Sequence, residues 1–382
     1  MLLEAETIVV GGGPAGLLAS LHLEGDTLLF ESRPRVGRPP HCAGVVSVDT
    51  LKRLPRDALA EYYDGLFLAV GSATTLLHVR LARVNRPLLE DVLLSMVREK
   101  GVSVRLSCRV DRIEEHGPRY EVRTTCGRLR ARNVIIAEGA GARLSSQLGF
   151  AKPAVIYAYQ VVKRLRRRAR IEPYAPLAAL LGGRVKYTWI IPMEYGSVIA
   201  VGAAGEATSV RQLVNNVMRV LESEGYEGEI VEVRSGLIPY TLPLRKPWKR
   251  SRESWVMVMG DAAGLAKASS GGGLYAISRT SIIPRFLEKG DFQKAWRIYR
   301  SVYERLTKLY VAAKLLYSSS TIVKLVSRIV KALLSKGEPL ILDYDEVVIG
   351  GWVSRYCVKS RERCSERMLH SVYGSVLKSL AI

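Results

Sequence analysis

Apolar and polar positions along the chain change period in a regular order. An apolar run at residues 8–10 meets a cluster of glycines, then an Ala/Leu-rich stretch to about Leu23, then a second apolar run, TLLFE, ending at Glu31. Strand, glycine turn, helix and strand in that order predict an opening βαβ unit. A loop rich in Pro, Gly and Arg occupies residues 32–40. Short apolar segments at 62–81 predict strands, and PLLEDVLLSMVREKG predicts a helix with Pro87 near its first position and Gly101 at its stop. Alternation in VSVRLSCRVDRIEE and YEVRTTCGRLRARNVIIAEG predicts a small hairpin and then a buried strand. Residues 151–241 are again strand-rich, with one helix near 210–224, and are expected to pair with the 62–81 strands as a second domain inserted into the first. From Gly260 a glycine-rich loop and helix return. From Asp291 onward the pattern is helical and basic, with 16 Lys or Arg against 8 acids.

Composition adds bounds to this picture. A chain of 382 residues, 48% hydrophobic and 24% charged, can bury two sizeable cores. No charge-free apolar stretch approaches the roughly 20 residues of a membrane span. The opening MLLEAETIVVGGG carries acids where a signal peptide would carry positive charge, so an intracellular protein is expected. The formal charge of +21 favours anionic partners. Six of the charges fall in KRLRRRAR at 163–170, which suits either a solvated edge or docking on anionic headgroups. No basic platform interleaved with aromatics is present, so nucleic acid is not expected as a partner. In the tail, Tyr299, Tyr303, Tyr310 and Tyr317 recur at helical spacings and read as core, although a basic amphipathic helix can lie in a membrane interface. The scarcity of Gln and Asn, four of each, suits a thermophile. Five cysteines without CxxC point to neither a disulfide framework nor a zinc site, and no metal site is expected. Cys108 and Cys126 read as buried bystanders. Cys357 and Cys364 on a continuous helix would lie roughly 10 Å apart, too far to bridge without a break.

The chemistry is carried by separated motifs. Gly11, Gly13 and Gly16 form GxGxxG between a predicted strand and helix. Gly11 would allow the tight turn, Gly13 the approach of a pyrophosphate, and Gly16 the packing of helix on strand. Glu31, 20 residues after Gly11, can accept hydrogen bonds from a ribose diol. In VMVMGDAAGLAKASSGGGLYAI a strand reaches Gly260 and Asp261 before small residues lead into another helix. An Asp there can bind ribitol hydroxyls, and a helix dipole aimed at a flavin ring would stabilise the charge of its reduced form.

Together GGGPAG with Glu31, the Arg86 of ARVNRPLLED, AEGAGA and GDAAGLAKASSGGG resemble the FAD fingerprints of the class containing aromatic hydroxylases, flavin halogenases and geranylgeranyl reductases, over residues 8–280. The resemblance implies an α/β (α+β) fold. A discontinuous Rossmann-like FAD-binding domain would span 1–61, 86–150 and 250–290. An inserted β-sheet substrate domain would span 62–85 with 151–249, and a helical region 291–382. FAD would contact Gly11, Gly13, Ala15, Gly16, Glu31, Cys42, Ala43, Arg86, Val110, Gly260, Asp261, Gly272, Gly273 and Leu274. The usual Asp-Gly of the class stands here as Glu138 and Gly139, and its small hydroxylated residue as Ala142, which counts against monooxygenase chemistry.

KYTWIIP resembles the YxWxFP substrate motif of geranylgeranyl reductases, with Tyr187, Trp189 and Pro192 matching and Ile191 replacing the aromatic. These four residues would line an apolar pocket suited to a prenyl chain. HCAGVVS resembles that family in placing a Cys after the second strand. His41 reads as a loop residue, and Cys42 and Tyr187 are the candidate proton donors, with an ordered water as the alternative. The resemblance is to archaeal digeranylgeranylglycerophospholipid reductases. It implies a prenyl-lipid substrate, an anionic membrane surface as peripheral partner on the inner face of the cell membrane, and an electron donor that is NAD(P)H, a ferredoxin or a quinol. A flavin monooxygenase or halogenase is the second reading, since YTWIIP resembles the halogenase WxWxIP at its last four positions. Halogenases also use a lysine in the N-terminal third, whereas none lies between Lys52 and Lys100.

Overall fold

The computed structural model describes residues 3–335 except 41, 72, 78, 172, 173 and 252, together with 373, 376 and 377. His41, Cys357 and Cys364 therefore lie outside the described residues. The first sheet has eight strands: β1 (Leu3–Val10), β2 (Thr27–Phe30), β8 (Ser103–Arg105), β9 (Val110–His116), β10 (Arg119–Thr124), β11 (Gly127–Ile136), β17 (Trp248–Arg250) and β18 (Trp255–Val258). Its order is β17-β18-β11-β1-β2-β8, with the β9–β10 hairpin beside β11. The strands β18, β11, β1, β2 and β8 run parallel. Helices cover its faces, so β2 and β18 are buried throughout, as continuous apolar runs require. These helices include α1 (Pro14–Ser20) and α3 (Arg86–Glu99). Asn85 caps α3 by accepting from the Leu88 N–H at 3.2 Å, Pro87 stands in its first turn, and Gly101 follows with φ +89°.

The second sheet has seven strands in the order β16 (Gly228–Pro239), β12 (Val155–Leu165), β15 (Val198–Gly205), β14 (Val185–Met193), β13 (Leu177–Leu180), β5 (Leu66–Val70) and β6 (Ala73–Leu77). Helix α5 (Ala207–Ser223) lays Val210, Val214, Val217 and Leu221 on it, an apolar stripe at helical spacing. The tail supplies α8 (Phe292–Leu316) and α9 (Ser320–Ser335), reached through α6 (Leu274–Thr280) and α7 (Ile283–Glu288). The short α2 (Val48–Leu51) and α4 (Arg143–Gln147) complete the α-helices of the described residues.

Three sequence expectations change. Of the strands expected at 62–81 to join the second domain, β5 and β6 do. The flanking β4 (Leu59–Tyr63) and β7 (Leu81–Val84) instead form a three-stranded sheet with β3 (Val45–Ser47). A cross-strand ion pair between Glu61 and Arg83 and the bond from Val84 N–H to Gly44 carbonyl at 2.9 Å hold that pairing. Cys108 and Cys126 are not bystanders but a disulfide, because the β9–β10 hairpin brings their Cα atoms to 5.8 Å. An odd cysteine count speaks against a framework, not against one bridge. Within the basic run, Lys163 is not at the surface: it is buried and paired with Glu222 at 2.6 Å.

Candidate active site

Gly11 leaves β1 with φ +105°, and a Cβ there would stand 2.3 Å from the Ala137 carbonyl oxygen, so the turn admits only glycine. Gly16 faces it from α1, and a Cβ would lie 2.0 Å from the Gly11 carbonyl oxygen. This contact seats helix on strand. Gly13 differs, since nothing lies within 4 Å of where its Cβ would be. That open space belongs to a cavity of about 820 Å³.

The second glycine-rich segment arrives where β18 ends beside β11. Gly260 has φ +63°, and its Cβ would be 2.9 Å from that of Ala15, so the two distant motifs abut. Asp261 follows, surrounded by protein with its carboxyl open to the cavity, and burial pushes it up to about 6 against the opposing field of Arg86. Arg86 comes from the first turn of α3 and pairs with Glu90 one turn on. Burial alone would weaken its charge, yet Glu90 and the Cys42 sulfur hold it above the ordinary arginine value. Cys42 is a free, half-buried thiol whose Sγ accepts from Gly44 N–H at 3.3 Å.

The Glu31 carboxylate accepts from the N–H groups of Gly12 at 2.7 Å and Arg33 at 2.8 Å while lining the cavity. Glu138 accepts from the N–H groups of Leu144 at 2.8 Å and Ser145 at 2.7 Å, so it caps α4. Ala142, with φ +46°, supplies no side-chain cap. The longer Glu thus does the capping that a hydroxyl at 142 would otherwise perform.

Of the expected cofactor positions, Gly11, Gly13, Ala15, Glu31, Cys42, Ala43, Arg86, Val110, Gly260, Asp261, Gly272, Gly273 and Leu274 line this one cavity. Gly16 acts beneath it. The cavity continues into the second sheet, where Tyr187, Trp189 and Ile191 line it from alternate positions of β14. Tyr187 OH packs on the glycine loop, 2.8 Å from where a Gly271 Cβ would stand. Trp189 Nε1 donates to Gln160 Oε1 at 2.8 Å, and its indole rests on Gly202, whose Cβ would clash at 2.4 Å. Pro192 departs from the expectation and does not line the cavity. Strand alternation turns it away, and its carbonyl accepts from Tyr63 OH at 2.7 Å.

Sequence reasoning passed over four contributors. Gln160 is buried with its Nε2 unpartnered, and its signal was a rare glutamine inside the apolar strand YAYQVV. Arg234 on β16 donates from Nη1 to the Cys42 carbonyl at 3.0 Å, tying the second sheet to the loop after β2. Lys267 is 3% exposed and lines the cavity, the one basic side chain within GDAAGLAKASSGGG. Helix α8 closes the apolar end with Leu309, Ala313 and Leu316, and Tyr317 OH donates to Ser269 carbonyl at 2.9 Å.

The open cradle over Gly13 would take the pyrophosphate of an FAD, and the carboxylates of Glu31 and Asp261, beside small residues, would take its hydroxyls. The curated digeranylgeranylglycerophospholipid reductase 1 of Methanopyrus kandleri is 27% identical over 296 residues, 71% of this chain and 77% of that protein. Among solved structures, a geranylgeranyl bacteriochlorophyll reductase-like protein from Thermoplasma acidophilum shares the fold with a TM-score of 0.72 at 18% identity, covering 86% of this chain and 92% of that one. The myxobacterial chondrochloren halogenase shares it with 0.61 at 18% identity, covering 88% and 90%. The family model for FAD dependent oxidoreductases matches residues 43–276, well over half of the chain. With that match and this cavity, the chain belongs to the FAD dependent oxidoreductase family, and FAD is its cofactor.

Proposed function

We propose that the protein saturates C=C bonds of geranylgeranyl chains in ether-lipid precursors. The observation supporting this most directly is the continuity of one cavity from the glycine cradle to the apolar chamber of Tyr187, Trp189 and Ile191. The Methanopyrus relative, named for a digeranylgeranylglycerophospholipid, supports the same substrate class. The chemistry that FAD would supply here, when bound and reduced, is hydride donation from N5.

An isolated alkene has no carbonyl to receive charge, so orientation and a placed acid must share the barrier. Trp189, fixed by Gln160 and Gly202, and Ile191 would hold the chain against the flavin site. Cys42, held by Arg234, and Tyr187, seated on Gly271, are the candidates to deliver the proton, with an ordered water as the third. The donor of electrons is NAD(P)H, a ferredoxin or a quinol. Because such chains do not dissolve in water, the enzyme would work peripherally at the inner face of the membrane.

Mass spectrometry of prenyl lipids after incubation with chemically reduced enzyme tests the reading. The expected result is the gain of two hydrogens per double bond. Unchanged lipids, with NADPH consumption coupled instead to oxygen and a hydroxylated or halogenated product, would replace it with the monooxygenase or halogenase reading.

A further inference from the structure

The outer face of the α8–α9 elbow is built unlike an ordinary protein surface. Helix α9 is seated through Val323 and Ser327, whose Oγ accepts from the Ala73 N–H at 3.1 Å. On the opposite face it presents Leu325 and Ile329, 56% and 55% exposed. The end of α8 adds Val311 and Leu315, 50% and 64% exposed. The helices meet at 104°, and neither alone is long and apolar enough to cross a membrane. No Asp or Glu occurs from residue 305 to residue 335. Lys308, Lys314, Lys324, Arg328 and Lys331 are exposed there and make no ion pair among the described residues.

The basic run at 163–170 offers less. Besides buried Lys163, Arg164 is paired with Glu194 and Arg166 with Glu227. The elbow is also continuous with the site, because the inner face of α8 is the wall of the apolar chamber. Leu237 of β16 both lines that cavity and is 49% exposed, which marks where it reaches the surface.

We propose that the α8–α9 elbow docks the enzyme on an anionic bilayer, its exposed Leu, Ile and Val side chains entering the acyl boundary and its unpaired Lys and Arg meeting headgroup phosphates. An apolar face flanked by bases and free of acids is the chemistry of an interfacial helix, not of a nucleic-acid surface. The choice of bilayer rests on a lipid substrate; the docking itself is measured without one.

The test is co-sedimentation of the FAD-loaded full chain with phosphatidylglycerol-containing vesicles, against pure phosphatidylcholine. The parent should partition onto anionic vesicles and be released by salt, since each base at the surface contributes roughly fivefold. Leu325→Ser with Ile329→Ser, and separately Lys324→Gln with Arg328→Gln, should each weaken partition at least tenfold while FAD content and thermal midpoint stay unchanged. Both pairs should still turn over detergent-dispersed substrate. Replacing Arg166, Arg167 and Arg168 with Gln should weaken partition less than either pair.

Binding by both pairs equal to the parent's, indifference to lipid charge, or loss mainly in the arginine triple variant would overturn the proposal. So would a parent dimer that the Leu325 and Ile329 changes convert to monomer, because the face would then be a self-interface. Vesicle binding by a parent that never reduces prenyl chains would leave docking in place and remove the reductase reading instead.

Discussion

Gly13 and Gly16 lie three residues apart, yet a side chain added at each meets opposite surroundings. Gly13→Val should fold with a normal thermal midpoint and lose most bound FAD, because its side chain fills only the cradle. Gly16→Val should fail to accumulate as folded protein, because the clash is with backbone. Equal FAD retention by Gly13→Val and the parent, read from flavin absorbance, would contradict this assignment.

Asp261 carries a cost that function explains. Its carboxyl lies at about 6 in the fold against an ordinary 3.8. Between those values the folded state binds more protons than the unfolded one, so stability falls as pH rises through that window. The loss is complete above it, at about 3 kcal/mol. Asp261→Asn should therefore raise the stability of FAD-free protein at pH 7, give no gain near pH 4, and weaken FAD binding. Thermal melts at the two pH values check it, and an equal shift at both would refute the cause.

At the scale of the element, β14 divides its large side chains between the cavity and the core under α5 by alternation. Tyr187, Trp189 and Ile191 turn to the cavity while Ile190 joins the core under α5. The position of the indole depends on the neighbouring strand, since Gly202 leaves the space it occupies. Trp189→Ala should impair turnover of prenyl lipid with FAD still bound. Gly202→Ala should do the same by driving the ring toward the cavity, at a stability cost of about 1–3 kcal/mol from overpacking. Full turnover by Gly202→Ala would show that the indole does not set the chamber. The element pattern was legible in sequence because a strand's period is local. That Pro192 would miss the chamber was equally readable from that period, but the family motif groups it with its neighbours.

At the scale of the whole molecule, the site exists only where two sheets and a late helix meet. Arg234 spans that junction, donating to the Cys42 carbonyl from β16. Arg234→Met should leave FAD affinity within about twofold and lower turnover by roughly tenfold, since it frees the loop but not the cradle. Turnover equal to the parent's, measured with dithionite-reduced enzyme, would remove Arg234 from a positioning role. The glycine fingerprints, the βαβ opening and the Tyr187–Ile191 segment were determined by sequence alone, because backbone conformation and strand alternation are set by residues close in the chain. Tertiary structure alone decided the Cys108–Cys126 bridge, the separation of β4 and β7 from the second sheet, the burial of Lys163, and the use of Gln160, Arg234 and α8 as walls of one cavity. Each of these depends on partners far away along the chain, and a residue's own neighbours carry no record of what the fold will bring against it.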